Sequence, residues 1–266
     1  MNKAFLMLIP VILSGCHGAR TKPQLGQLPP FDRPPCSAEE NQAEAETGSH
    51  DCIERLTAFV GRGLLSTVLI SSSTAPRKKG VAEKAGAGVI IDRAGRVLTA
   101  YHVIKDLERI EVMVRQVGGT DGRLVFKEWI IVPMRVLAYA ERLDIALLEP
   151  LQPAPLPAPI PVDPAIRTFD QGQKLWFFGS RAVTYAGQVT TGLTDTLVLN
   201  GELHADLIKV NIPAIGCDLG GPVLSPEGDV VGIMLVSKER EQTAYFIPVS
   251  IAVQLFGLPR PDIAFR

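Results

Sequence analysis

Hydrophobic residues along most of this chain come in short runs that glycine, proline, aspartate or serine interrupts. Short apolar runs bounded by turn-forming residues are typical of β-strands. The strands predicted for the first half are Ser66–Ser71, Ala87–Ile91, Arg96–Thr99, Ile110–Arg115, Ile130–Leu137 and Ile145–Leu148. Those of the second half are Lys174–Phe178, Thr184–Thr190, Leu207–Asn211, Pro222–Leu224, Asp229–Val236 and Ala244–Ile247. The pattern therefore predicts an all-β protein.

Four segments complete this outline. Cys52–Val60 predicts a short helix, and the amphipathic stretch Val249–Phe256 predicts a short C-terminal helix. Asp92–Gly95 joins two predicted strands as a hairpin. Glu149–Ala165 is rich in proline, which excludes both a helix interior and a central strand, so we expect an extended crossover. Many short strands in two halves indicate paired barrels or sandwiches.

The N-terminus has the composition of an export signal. It carries one lysine, then an apolar run too short to span a bilayer, then small residues ending at Cys16. Leu13–Cys16 resembles the bacterial lipobox, which implies that residues 1–15 are a signal peptide and that Cys16 is acylated. An ordinary secretory signal is the alternative. The implied location is the bacterial cell envelope, and His17 after the cysteine favours the outer membrane, facing the periplasm.

Composition separates a linker from a folded domain. Residues 16–52 are rich in Pro, Gln, Glu and Ala, which predicts a tether between the lipid and a domain over residues 53–260. The 266 residues are 46% hydrophobic, enough for a packed core, and the net charge of −1 argues against nucleic-acid binding.

The cysteines and histidines give few further candidates. In an oxidising compartment Cys36 and Cys52 are close enough in sequence for a disulfide, which leaves Cys217 as the odd thiol. His50 and His204 have no partners at metal-ligand spacing. We therefore expect no metal and no cofactor.

Three segments in a fixed order carry a resemblance to a known family. They are "AGAGVIIDRAGRVLTAYHVIKD", "ERLDIALLEP" and "GCDLGGPVLSPEGDVVGIMLV". Together they resemble the trypsin-like serine proteases, specifically the HtrA/Deg branch, over roughly Gly61–Phe256. The resemblance implies two antiparallel β-barrels of the chymotrypsin fold, at about 61–150 and 166–256. Because the matched region takes up most of the chain, we expect no following PDZ domain.

The resemblance also implies roles for particular residues. It places His102 as the general base and Asp144 as the carboxylate that orients it. Leu219 stands where the family has its nucleophilic serine, and Cys217 replaces the glycine that supplies an oxyanion-hole N–H. Leucine has no nucleophilic atom, so an acyl-enzyme cannot form on it.

The sequence therefore predicts an inactive protease homologue, a pseudoprotease, that binds an extended peptide or an envelope protein by strand addition. Three alternatives stay open. Cys217 could replace the nucleophile, although it lies two residues too early in the motif. An active serine endopeptidase acting on envelope proteins would follow if the alignment were shifted. A structural spacer in an envelope assembly would leave the cleft unused.

Overall fold

The computed structural model of the chain describes residues 24–26, 51–71, 85–120, 123–165, 168–180, 184–191, 195–199, 202–212, 218–238 and 242–258. The strands of the first half are β1 (Gln24–Gly26), β2 (Thr67–Ser71), β3 (Ala85–Ile90), β4 (Val97–Ala100), β5 (Ile110–Thr120), β6 (Arg123–Ala140) and β7 (Ile145–Pro150). Those of the second half are β8 (Lys174–Phe178), β9 (Thr184–Gln188), β10 (Asp195–Leu199), β11 (Glu202–Val210), β12 (Pro222–Leu224), β13 (Val230–Lys238) and β14 (Thr243–Pro248). The helices are α1 (Asp51–Ser66), α2 (Tyr101–Ile104) and α3 (Val249–Phe256), with a 3-10 helix at Glu141–Leu143.

The first half is a closed antiparallel barrel. Its strands follow the order β6-β5-β2-β3-β4-β7, and β6 closes the ring by pairing with both β5 and β7. The 18 residues of β6 allow it to reach both neighbours. β1 adds to the outer edge of β6, so three residues of the predicted tether lie in this sheet. Closure of the barrel gives hydrogen-bond partners to backbone groups that would otherwise be exposed at strand edges.

The second half is a curled antiparallel sheet in the order β10-β11-β14-β13-β12-β8-β9. The two ends of the sheet meet where Val189, just after β9, bridges to Val210 at the end of β11. Beside this bridge the Thr190 N–H donates to the Lys209 carbonyl at 2.9 Å. The predicted mostly-β architecture in two halves is confirmed. The second half is a half-barrel, because in the described residues a single bridge takes the place of a closing ladder.

Helix α1 packs between the two halves. The ring of Phe59 lies 5.2 Å from that of Trp176 and 5.7 Å from that of Phe178, both in β8. The helix runs to Ser66 and not to the predicted end at Val60. The predicted helix ended at Val60 because Gly61 and Gly63 have low helix propensity. Packing of the helix on the second half outweighs this low propensity, so the helix continues to Ser66.

The end of α1 is held by a buried arginine of β5. One guanidinium nitrogen of Arg115 donates to the carbonyls of Leu64 at 2.6 Å and Thr67 at 2.9 Å, and another donates to the Ser180 carbonyl. The guanidinium also lies over the ring of Trp129, 4.8 Å from its centroid. Burial lowers the pKa of Arg115 to about 10, so it remains charged at neutral pH. Arg115 thus joins the first barrel, α1 and the second half.

The proline-rich crossover runs extended between the halves, as predicted. The Ile160 N–H donates to the Ile90 carbonyl at 3.2 Å, and the Val230 N–H donates to the Pro161 carbonyl at 2.8 Å. The Ser66 hydroxyl donates to the Ala158 carbonyl at 2.7 Å. The crossover is therefore fixed to both halves and to the end of α1.

Two apolar clusters stabilise the fold. One joins the first barrel to α1, α3 and part of the second half, and the other lies within the second half. Among the described residues, none of the helices has the length and apolar character that a bilayer crossing requires. The first cluster contains residues of both halves, so it fixes their relative position.

Candidate functional site

His102 and Asp144 meet in the first barrel through two hydrogen bonds. The Asp144 carboxylate accepts from the backbone N–H of His102 at 2.7 Å, and its other oxygen lies 2.6 Å from the Nδ1 atom of the His102 ring. Asp144 is buried, whereas about a third of the His102 side chain is exposed. A carboxylate on Nδ1 favours the tautomer with its proton there, which leaves Nε2 as the basic nitrogen.

Local backbone structure explains why these two residues meet. His102 lies in α2, a single turn directly after β4, and Asp144 ends the 3-10 helix directly before β7. β4 and β7 are neighbours, with Ala100 paired to Ile145. The Tyr101 N–H donates to the Asp144 carbonyl at 3.0 Å, and Asp144 takes the left-handed conformation, φ 53°, that aspartate tolerates. Because β4 and β7 are neighbours, the end of β4 and the start of β7 bring His102 and Asp144 together.

We expect Asp144→Asn to reverse the tautomer of His102. The asparagine oxygen would keep the bond to the His102 backbone N–H, which turns the amide NH₂ toward Nδ1 and moves the ring proton to Nε2. The ¹⁵N chemical shifts of the His102 ring measure this directly. Asp163→Asn is the control, because the Asp163 carboxylate accepts from the Ala165 N–H elsewhere. Unchanged ring shifts in the Asp144 variant would contradict the assigned hydrogen bond.

Leu219 lies in a tight turn fixed to both halves of the molecule. Its carbonyl accepts from the Ala87 N–H of β3 at 2.7 Å. The next residue, Gly220, has φ +87° and donates to the Met234 carbonyl of β13 at 2.7 Å. A Cβ placed on Gly220 would come within 3.1 Å of the Ala100 nitrogen, two residues before His102. The turn therefore lies beside the segment that carries the imidazole.

The side chain of Leu219 is apolar and partly buried. It packs with Tyr185 against the apolar cluster of the second half. The residue before it, Asp218, is fully buried, and its carboxylate lies against Gly179, where an added Cβ would be 2.4 Å from Oδ1. The turn presents a hydrocarbon branch where the resemblance predicts a hydroxyl.

Several predicted residues lie outside the described part of the chain. These are Cys16, Cys36 and Cys217, together with the side chain of Cys52. The predicted lipidation, the disulfide and the oxyanion-hole role of Cys217 thus stay predictions. Among the described residues no group of three or more His, Cys, Asp or Glu side chains converges as metal ligands do.

Sequence reasoning missed an aromatic pair beside His102 and Asp144. The rings of Tyr101 and Tyr139 stack at 4.7 Å with an angle of 8° between their planes, and Tyr139 is 56% exposed. The position of Tyr101 directly before His102 could have suggested that it lies near the site. Tyr139 could not have been predicted, because it comes near Tyr101 only through the pairing of β6 with β7, in which Tyr139 lies opposite Ala146. Because the Tyr101 N–H donates to the Asp144 carbonyl, the pair lies beside the segment that carries the imidazole.

Comparisons with known proteins relate the chain to peptidase domains. The sequence profile of the trypsin-like peptidase domain matches residues 86–233. The chain is 26% identical over 152 residues to the magnetosome formation protease MamE of Magnetospirillum gryphiswaldense, a match over 57% of this chain and 18% of MamE. It is 25% identical over 183 residues to Protease Do-like 1, chloroplastic, of Arabidopsis thaliana, over 66% of this chain and 38% of that protein. The chain thus spans well under half the length of these relatives.

Solved structures show the same fold. The protease domain of MamO from Magnetospirillum magneticum superposes with a TM-score of 0.57 at 19% identity, over 73% of this chain and 97% of that one. Deg5 superposes with a TM-score of 0.57 at 20% identity, over 78% of this chain and 94% of Deg5. These likenesses confirm the predicted fold.

Proposed function

Because this chain belongs to the trypsin-like peptidase domain family, we propose that it is a member without hydrolytic activity that binds extended peptide segments in the bacterial envelope. Leu219 carries the proposal. Its hydrocarbon branch offers no lone pair for attack and no proton for His102 to accept. Loss of the nucleophile from a serine-protease triad lowers kcat by a factor on the order of 10⁶.

The contacts of the turn support this assignment. The Leu219 carbonyl is bonded to Ala87 on one side, and Gly220 is bonded to Met234 on the other. These bonds fix residue 219 at the junction of the halves. Ser225, the next hydroxyl along the chain, is buried, and its oxygen accepts from the Glu227 N–H at 3.2 Å. It belongs to the following hairpin and is a poor substitute nucleophile.

A serine endopeptidase is the second candidate, and the His102–Asp144 pair favours it. The 2.6 Å contact between the His102 ring and the Asp144 carboxylate is the arrangement a general base requires. The relatives MamE and Protease Do-like 1 bear protease names. Under our proposal the pair serves a structural role, since its bonds join β4 to β7 next to the cleft.

Strand addition along β13 is the proposed binding mode. β12 pairs with β13 only from Val230 to Ile233, whereas β14 pairs with β13 as far as Lys238. β13 therefore projects past β12, beginning at Leu235, on the side of the molecule where the Leu219 turn lies. Main-chain hydrogen bonds to a projecting strand bind extended peptides with modest dependence on their sequence.

A lipid on Cys16 is the proposed means of attachment. The lipobox-like segment ends at Cys16, and acyl chains hold a protein on a membrane without any spanning helix. The outer membrane, facing the periplasm, is the proposed location. An envelope protein that displays an extended segment is the proposed partner.

One experiment on the full chain tests activity and anchoring together. Membrane and soluble fractions of bacteria that produce the protein are treated with a fluorophosphonate probe, and the purified protein is then analysed for an adduct by mass spectrometry. We expect the chain in the membrane fraction and unlabelled, while trypsin added as a control is labelled. An adduct on any residue of the domain would overturn inactivity and favour the endopeptidase. Recovery only in the soluble fraction would overturn the anchor.

A further inference from the structure

The His102 ring has one nitrogen that is fixed and one that remains able to accept a hydrogen bond. Its Nδ1 atom lies 2.6 Å from one oxygen of the Asp144 carboxylate, and the His102 backbone N–H donates to the other oxygen at 2.7 Å. With the ring proton on Nδ1, the Nε2 atom carries an accepting lone pair. Within the residues that the structure describes, nothing donates to Nε2, and about a third of the side chain is exposed. The ring is thus held in one orientation with its acceptor unused by these residues.

The side chain of Leu219 cannot supply a donor to this nitrogen. The turn that carries it lies beside the segment leading to His102, because a Cβ on Gly220 would come within 3.1 Å of the Ala100 nitrogen. Leu219 presents only hydrocarbon there, and its carbonyl is already bonded to the Ala87 N–H at 2.7 Å. A ligand that covers the ring would take water away from an acceptor that this side chain does not satisfy. Burial of an unpaired acceptor is costly, so the ligand itself has to bring the donor.

The projecting end of β13 begins at this turn. Met234 exchanges two backbone hydrogen bonds with the turn: the Gly220 N–H donates to its carbonyl at 2.7 Å, and its own N–H donates to the Gly221 carbonyl at 3.0 Å. The next residue, Leu235, is where β13 passes beyond its pairing with β12. β13 also lies against β4, and the helical turn that follows β4 carries His102. A peptide strand added to this end of β13 would therefore start beside Gly220, close to the imidazole.

We propose that the Nε2 atom of His102 selects a hydroxyl side chain, threonine or serine, on an extended peptide that pairs along the projecting end of β13. This inference rests on the proposed peptide-binding function and names the class of peptide. A hydroxyl replaces the hydrogen bond that Nε2 loses with its water, whereas a hydrocarbon leaves the lone pair unpaired. A neutral donor is favoured over an ammonium, because burying a charge against the hydrocarbon of Leu219 is costly. Threonine fits best, since β-branched side chains suit an extended strand.

Peptides that differ at a single donor test the proposal. The probes are fluorescein-labelled Glu-Val-Lys-Thr-Lys-Val-Glu and the same peptide with valine or O-methylthreonine in the central place. Valine has the shape of threonine without the hydroxyl, and O-methylthreonine keeps the oxygen but has no proton to donate. Fluorescence anisotropy with the full chain gives each Kd. We expect the Thr peptide to bind about tenfold more tightly than either analogue, because each analogue buries the Nε2 lone pair unpaired.

Two variants assign the preference to His102. His102→Phe removes the acceptor and keeps a planar ring, so the Thr and Val peptides should bind this variant equally. Tyr139→Phe removes a nearby hydroxyl but keeps the ring that stacks on Tyr101, and it should retain the preference. Equal binding of the Thr and Val peptides to the unmodified chain, or a preference that survives His102→Phe, would overturn the hydroxyl selectivity alone. Failure of all three peptides to bind would overturn the peptide-binding function as well.

The ¹⁵N signal of Nε2 reports the proposed hydrogen bond without any variant. We expect it to move upfield when the unmodified chain is saturated with the Thr peptide, since the nitrogen then accepts a hydrogen bond. Saturation with the Val peptide should produce no upfield shift. A signal that responds alike to both bound peptides would contradict recognition of the hydroxyl by His102.

Discussion

Replacing Arg115 with methionine should lower the free energy of unfolding by about 3 kcal/mol. The carbonyls of Leu64, Thr67 and Ser180 would lose their guanidinium donor, and a buried polar group without its partner costs about 1–3 kcal/mol. Methionine fills much of the same space, so little of the loss comes from a cavity. The cost of burying the guanidinium, which also lowers the pKa of Arg115 to about 10, offsets part of it. Urea unfolding followed by tryptophan fluorescence measures the change.

Two further substitutions show whether these hydrogen bonds are the cause. Arg135→Met removes the same side chain from an exposed ion pair with Glu149 and should cost about 0.5 kcal/mol or less. Arg115→Lys keeps a positive charge but loses the planar group that reaches several carbonyls at once, so its cost should lie between the other two. Equal losses for Arg115→Met and Arg135→Met would contradict the role assigned to Arg115.

Arg115 also connects the N-terminal helix to the candidate site. Ser180, whose carbonyl it binds, directly follows Gly179, and Gly179 lies against the carboxylate of Asp218. Asp218 directly precedes Leu219 in the turn. A chain of contacts therefore runs from the end of α1 to the turn, so the predicted tether leads into a helix that supports the site.

Local sequence patterns predicted most of the strands for a physical reason. Short apolar runs between turn residues specify strands wherever the chain enters a buried sheet, as in β7 and β13, which are buried along most of their length. The hairpin at Asp92–Gly95 followed from glycine, which adopts φ +79° there. The same reasoning missed the start of β6 at Arg123 and the whole of β10, where polar and apolar residues mix.

The same distinction between local patterns and contacts of distant segments decides which site residues could be predicted. His102, Asp144 and Leu219 could be predicted because each lies in a short motif whose local structure fixes its position. Arg115 could not, because it lies on the side of β5 opposite Val112 and Val114 and is buried by α1, a contact between distant segments.

Replacing Gly220 with alanine should lower the free energy of unfolding by about 2–5 kcal/mol and disorder the Leu219 turn. Two costs add at this position. The φ of +87° is unfavourable for alanine by about 1–2 kcal/mol. The new Cβ would also lie 2.3 Å from the Ala87 carbonyl oxygen and 2.5 Å from the Thr99 hydroxyl, and crowding of a packed interior typically costs about 1–3 kcal/mol. Urea unfolding gives the first quantity, and hydrogen exchange at the Ala87 and Gly220 amides gives the second.

Gly172→Ala separates the two costs. Gly172 has nearly the same backbone angle, φ +85°, but a Cβ there would meet nothing within 4 Å. Its substitution should therefore cost only the conformational part, about 1–2 kcal/mol, and leave the Ala87 and Gly220 amides protected. If both variants lost the same stability, the turn would have room to move away from β3, and Leu219 would not be fixed at the junction of the halves. The assignment of Leu219 to the nucleophile position would then lose its geometric support.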